Sequence, residues 1–120
     1  MKKVIATAAA PQAVGPYSQA VEADGTVYVS GQLPIDPISG TMPDTVARQT
    51  EQSLLNIAEA GCSFDNVVKS TVLLDDISNF GAMNEVYARF FTGQMPARVC
   101  YQVAALPKGA KVEIDVIAVK

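Results

Sequence analysis

The chain has 120 residues, 49% hydrophobic and only 18% charged, with a net charge of −3 and no basic run beyond Lys2-Lys3, a balance that argues against nucleic acid as its main partner because such binding displaces phosphate counterions with a basic patch. It has no histidine, which excludes Ser-His-Asp and Cys-His catalysis and the HExxH zinc motif, and neither of its two cysteines sits in a metal-type spacing. The length fits one domain, residues 1–120, and so low a charge in so small a domain is consistent with apolar surface buried against another subunit or with a somewhat apolar monomer.

Residues 4–7, VIAT, read as a short strand, although with Lys2-Lys3 and the alanines that follow they faintly resemble a minimal signal peptide. AAPQAVGP, 9–16, is a Pro/Gly-rich loop. YSQAVEAD, 17–24, and TVYVSG, 26–31, flank an Asp-Gly turn and predict a hairpin. Three prolines and a glycine make 32–43 a loop. Asp44 to Ala60 is helical in pattern, with Val46, Thr50, Leu54, Ile57 and Ala58 on one face and Gly61 as its stop. NVVKSTVLLDD, 66–76, is a β-branched strand. A second helix is expected from Asn79 to Thr92, with Phe80, Met83, Tyr87, Phe90 and Phe91 as its apolar stripe and Ser78 or Asn79 as cap. ARVCYQVA, 97–104, and KVEIDVIAVK, 111–120, are strands joined across LPKGA. The order β-β-β-α-β-α-β-β predicts an α+β layer fold, a mixed sheet of about six strands with both helices on one face. No stretch approaches the ~20 apolar residues of a membrane span, and isolated cysteines are expected to be reduced, so a cytoplasmic location is expected.

The arginine inside the strand 97–104 raises the question of its partner. Side chains alternate, so Arg98, Cys100 and Gln102 share one face and Val99, Tyr101 and Val103 the other; Glu113 and Asp115 share a face of the last strand. If these two strands pair as a hairpin, parity puts Glu113 beside Arg98 and Cys100. One reading is a solvated face carrying a weak Arg–Glu cross-strand pair. The other is an anion site, in which the guanidinium fork grips a carboxylate and the glutamate handles a water. Cys100 reads as a small buried hydrophobe, Tyr17 as a packing aromatic at the end of a rigid loop, and Gly31 as a turn glycine or a backbone N–H open to a ligand. Asn84, mildly unfavourable inside a helix, has a side chain able to tie the helix to a loop.

Taken together, IATAAAPQAVGPYSQ, VSGQLPIDPISG, MNEVYARFF and PARVCYQVAALPKGAKVEIDVIAV make the chain resemble the RidA/YjgF family of enamine/imine deaminases over nearly its whole length. The resemblance implies a chorismate-mutase-like fold and a homotrimer with ligand clefts between subunits. It implies hydrolysis of 2-aminoacrylate, 2-iminopropanoate and 2-iminobutanoate to 2-oxo acids and ammonia, with no metal or organic cofactor. By the same resemblance the carboxylate-binding arginine falls on Arg98, the water-positioning glutamate on Glu113, and the cysteine beside the ligand, acting through its backbone carbonyl, on Cys100. The loop tyrosine falls on Tyr17, the ligand-facing glycine on Gly31 and a recurrent helix asparagine on Asn84. Relatives commonly carry serine at the position of Val99 and valine at that of Tyr101, and the first helix is about one turn shorter here. Parity points both residues away from Arg98, which predicts altered packing with the chemistry kept. Two other classes stay open on sequence: a non-catalytic trimer that binds small carboxylates and regulates a partner, and a ribonuclease, against which the acidic balance and missing histidine count.

Overall fold

Runs of alternating β-branched residues form the strands of a single sheet, and two amphipathic segments form the helices that cover one side of it. The computed structural model describes residues 1–120. In chain order the elements are β1 (Lys3–Ile5), β2 (Ala20–Ala23), β3 (Thr26–Gln32), α1 (Val46–Glu59), β4 (Val67–Leu74), α2 (Phe80–Phe90), β5 (Ala97–Gln102) and β6 (Val112–Val119). The expected order is therefore the observed one. Asp24 and Gly25 both have positive φ, 49° and 77°, as the tight turn between β2 and β3 demands. β2 starts later than expected because Tyr17 is still in the loop, its N–H donating to Gly15 O at 2.8 Å.

The strands lie in the order β1-β2-β3-β6-β4-β5. All neighbours are antiparallel except β4 and β5, which run parallel across the α2 crossover. This corrects the expected β5–β6 hairpin. β6 carries Val112, Ile114, Val116 and Ala118, all buried on the helix side, and such a strand is best placed in the middle of the sheet. β5 presents Arg98, Cys100 and Gln102 on that side and takes the edge instead. The nine residues from 103 to 111 span the strand in between.

One cluster of 17 buried residues forms the core between the helices and the sheet, with Leu54 and Ile57 of α1 and Met83 and Tyr87 of α2 against Val27, Val72 and Ile114. On α1 the buried face is wider than the apolar pattern, because Gln49, Ser53 and Asn56 are buried as well, while Ala58 is only partly covered. Thr45 caps α1, its Oγ1 accepting from Arg48 N–H at 3.2 Å. Asn79, one of the two residues expected to cap α2, takes the N-cap position, but its side chain makes no capping hydrogen bond. Asp76 instead accepts from Ser78 N–H at 2.9 Å and caps the short 3₁₀ turn that precedes the helix. The opposite face of the sheet has no helix over it. Tyr28, Val99 and Tyr101 are 50%, 42% and 49% exposed there, on the side away from Arg98 as alternation requires. No helix is long and apolar enough to cross a membrane.

Candidate functional site

The helix-free face holds a cavity of about 490 Å³ near the ends of β3 and β6. Glu113 and Asp115 enter it from alternate positions of β6, Gly31 from β3, Tyr17 from the loop before β2 and Lys108 from the loop before β6. Burial of the Glu113 side chain, and then the negative charge of Asp115, push the Glu113 carboxyl above its ordinary value. Burial raises Asp115 as well, opposed by a hydrogen bond from Thr71, its partner across on β4. A carboxyl moved toward neutrality in this way gains capacity as both proton donor and proton acceptor.

Gly31 is explained by what lies over it. A Cβ there would sit 3.0 Å from Cδ and 3.1 Å from Oε2 of Glu113, so the carboxylate occupies the space that any side chain would need. The walls of the cavity are tied down by buried amides. Gln19 accepts from Thr7 N–H at 2.7 Å, and its Nε2 donates to the carbonyls of Thr7, Ala10 and Pro11 at 3.0, 3.2 and 2.7 Å. Asn56 donates to Leu33 O and Ile35 O, both at 3.0 Å. Tyr17 is half exposed, and its hydroxyl accepts from Val14 N–H at 3.4 Å.

Arg98 lies on the other side of the sheet. It stands opposite Ser70 on β4, and Ser70 stands opposite Val116 on β6, so Arg98 shares the helix-side face with the core. Glu113 stands opposite Leu73, on the helix-free face. The expected placement of Glu113 beside Arg98 and Cys100 is therefore corrected: within one chain the sheet separates them. The cause is the position of β6, which pairs with β4 in a register that its own buried valines dictate. Arg98 Nη1 donates to Asn84 Oδ1 at 2.7 Å, and the two line a second cavity of about 320 Å³ with Tyr87, Met95 and Pro96. No carboxylate comes within 4 Å of Arg98; the chain's one ion pair, Lys120–Glu22, is elsewhere.

Cys100 packs partly against the core, and burial pushes its thiol up against the opposing influence of Arg98. A thiol raised in this way is protonated at neutral pH and a poor nucleophile. Its backbone is placed differently. Val103 N–H donates to Leu74 O at 2.9 Å, so by alternation the N–H and C=O of Cys100 point outward from the open edge of β5. Six residues singled out in the sequence thus form two groups: Tyr17, Gly31 and Glu113 on one face, Arg98, Asn84 and Cys100 at the edge and on the other. Sequence reasoning passed over Gln19, Lys108 and Asp115 as site components. Only Asp115 carried a signal, its shared face with Glu113.

The α+β sheet thus carries a half-buried carboxylate in a cavity on one face and an arginine without an ion-pair partner on the other. The Endoribonuclease L-PSP family model matches residues 7–120, and the chain belongs to this family, the RidA/YjgF family of the sequence resemblance. It is 54% identical to a 2-iminobutanoate/2-iminopropanoate deaminase of Mus musculus, with 100% of this chain and 93% of that protein covered. Among solved structures it is similar to the YjgF gene product of E. coli, at 42% identity, TM-score 0.93 and 98% coverage of both chains. It is equally similar to E. coli TdcF with bound serine, again at 42% identity, TM-score 0.93 and 98% of both chains.

Proposed function

We propose that the protein is a 2-iminobutanoate/2-iminopropanoate deaminase, which adds water across the C=N bond of a 2-imino acid and releases a 2-oxo acid and ammonia. The observation that carries this reading is full-length similarity, at 54% identity, to a protein of that activity. The geometry agrees with it. Arg98 offers an uncancelled guanidinium fork that matches a substrate carboxylate with two parallel hydrogen bonds. Glu113 takes a proton from the attacking water and returns it to the departing nitrogen, and its raised pKa suits both steps. Tyr17 and the Gly31 N–H line the Glu113 side and orient the imine, and the outward carbonyl of Cys100 lies at the Arg98 side. Asn84 holds Arg98.

The site is completed by a second copy of the chain. Arg98 and Glu113 lie on opposite faces of one sheet, so we assign them to one cleft only when Arg98 of one copy faces Glu113 of the next. The open edge of β5 and the uncovered aromatic and aliphatic surface around Tyr28, Val99 and Tyr101 support a homotrimer closed through these surfaces. The substrates are small carboxylates of the cell's amino-acid metabolism, and the reaction balances with water alone.

A second reading, a trimer that binds small carboxylates without turning them over, is favoured by the serine bound to TdcF. It needs Arg98 and not Glu113. Purified protein coupled to a threonine dehydratase, with imine disappearance followed, tests both. The deaminase accelerates loss of the imine over buffer, Arg98→Ala abolishes the acceleration, and Glu113→Gln keeps 2-oxobutanoate binding while losing turnover. No acceleration by the wild-type protein leaves the binding reading. RNA cleavage that survives stringent purification and disappears in Arg98→Ala would instead favour the ribonuclease.

A further inference from the structure

Phe80, Asn84 and Tyr87 are at i, i+4 and i+7 of α2, a spacing that puts three side chains on one stripe. All three reach the same group. Asn84 Oδ1 accepts from Arg98 Nη1 at 2.7 Å, and the guanidinium carbon lies 4.8 Å from the centre of the Tyr87 ring and 5.5 Å from that of Phe80. The Tyr87 hydroxyl lies 2.6 Å from Ser70 Oγ, a contact that contributes to stability, and Ser70 is the residue opposite Arg98 in the β4–β5 register. Phe80 is 40% exposed, so its ring is not there to fill the core.

None of these partners is charged. A carboxylate in their place would cancel the guanidinium and have to be displaced by any incoming anion. Ring faces and one amide oxygen hold the arginine by its plane and one N–H, and leave the rest of the fork open. A side chain already held in one rotamer loses less freedom when it binds. We propose that Phe80, Asn84 and the ring of Tyr87 form a neutral cradle that presents the Arg98 fork to the substrate carboxylate, which makes Phe80 and Tyr87 positioning residues of the reaction. The cradle rests on the assignment of Arg98 as the carboxylate clamp.

The test is calorimetric titration with 2-oxobutanoate, together with KM and kcat in the coupled assay and the Tm of each variant. Phe80→Leu removes an exposed ring; it is expected to weaken 2-oxobutanoate binding and raise KM by about 2- to 5-fold, with kcat and Tm unchanged. Tyr87→Phe keeps the ring and deletes the bond to Ser70; its Tm falls while affinity stays near wild type. A purely structural role for the stripe would make affinity follow Tm. Normal binding by Phe80→Leu, or a loss of affinity in Tyr87→Phe that matches its loss of Tm, overturns the cradle. Arg98→Ala separates the two assignments: if it binds 2-oxobutanoate normally the clamp itself is wrong, and if it loses binding while Phe80→Leu does not, the cradle alone is wrong.

Discussion

Replacing Gly31 by alanine displaces the proposed base without touching it chemically. Gly31 is not in the left-handed region, so alanine adopts its backbone without strain. The added Cβ would meet Glu113 Cδ at 3.0 Å, Oε2 at 3.1 Å and Cγ at 3.3 Å, whereas carbon atoms pack best at about 3.5–4.0 Å. The carboxylate must give way by a few tenths of an ångström to restore contact distance. It can do so, being the end of a flexible side chain in an open cavity, so the cost to stability is small, about 1 kcal/mol or less. The chemistry suffers as well, because a misplacement of about 1 Å can lower a rate by about 10²-fold, and a smaller shift proportionately less. Gly31→Ala is therefore expected to keep its Tm within about 4–8 °C of wild type, lose about 3- to 10-fold in kcat, and bind 2-oxobutanoate through Arg98 almost normally. Imine loss in the coupled dehydratase assay, beside a thermal melt, reads all three. A folded Gly31→Ala protein with wild-type kcat would refute the placement of Glu113 as the group that handles the water.

The raised carboxyls make a pH prediction. Glu113 and Asp115 titrate above their unfolded values, so the folded chain holds more protons than the unfolded one between the two, and stability falls as pH rises through that window. Glu113→Gln should therefore raise Tm at pH 7 and lose the advantage below about pH 4, where the carboxyl is protonated in both states; a wild-type or lower Tm at pH 7 contradicts the burial argument. Gln19→Leu deletes four hydrogen bonds that tie the loop of residues 7–11 to the cavity and should cost about 2–3 kcal/mol in urea denaturation. Tyr101→Lys puts a charge on the uncovered face, and light scattering should show a smaller particle whose deaminase activity falls in parallel; an unchanged mass would remove this face from the proposed interface.

Local chemistry made most elements legible. The Asp-Gly turn, the β-branched run of β4 and the 3.6-residue periodicity of α1 each depend on near neighbours alone, and each is found where its pattern lies. What failed was non-local. The short Pro-Lys-Gly turn before β6 reads as a hairpin connection, but the choice of partner for β6 depends on which strand the sheet flanks with a neighbour at either edge. That choice puts Glu113 on the far face from Arg98, although the alternation within each strand is as its own sequence predicts. The buried amides Gln19 and Asn56 were equally invisible, because their worth lies in carbonyls 8 to 23 residues away that only the fold brings close. Phe80 and Tyr87 fall within the apolar stripe expected for α2 for the opposite reason: aromatic residues at helical spacing look alike whether they pack against valines or against an arginine.

The separation of Arg98 from Glu113 also has an electrostatic consequence. Had the expected hairpin formed, the two would have stood as cross-strand neighbours and joined in a salt bridge, which holds the glutamate ionised and occupies the guanidinium fork. Both effects oppose imine hydrolysis. The substrate carboxylate would compete with a built-in one, and the base would be too weak to take the water's proton. With the sheet between them, Arg98 keeps an open fork among neutral partners, and Glu113 feels burial and Asp115 instead of a cation, both of which raise its pKa. In the proposed trimer the two groups meet across a subunit boundary, with the substrate's carboxylate and imine carbon between them. The anion that Arg98 lacks within its own chain is then supplied by the molecule to be hydrolysed, and the affinity for that anion is set by how little else the arginine has to release.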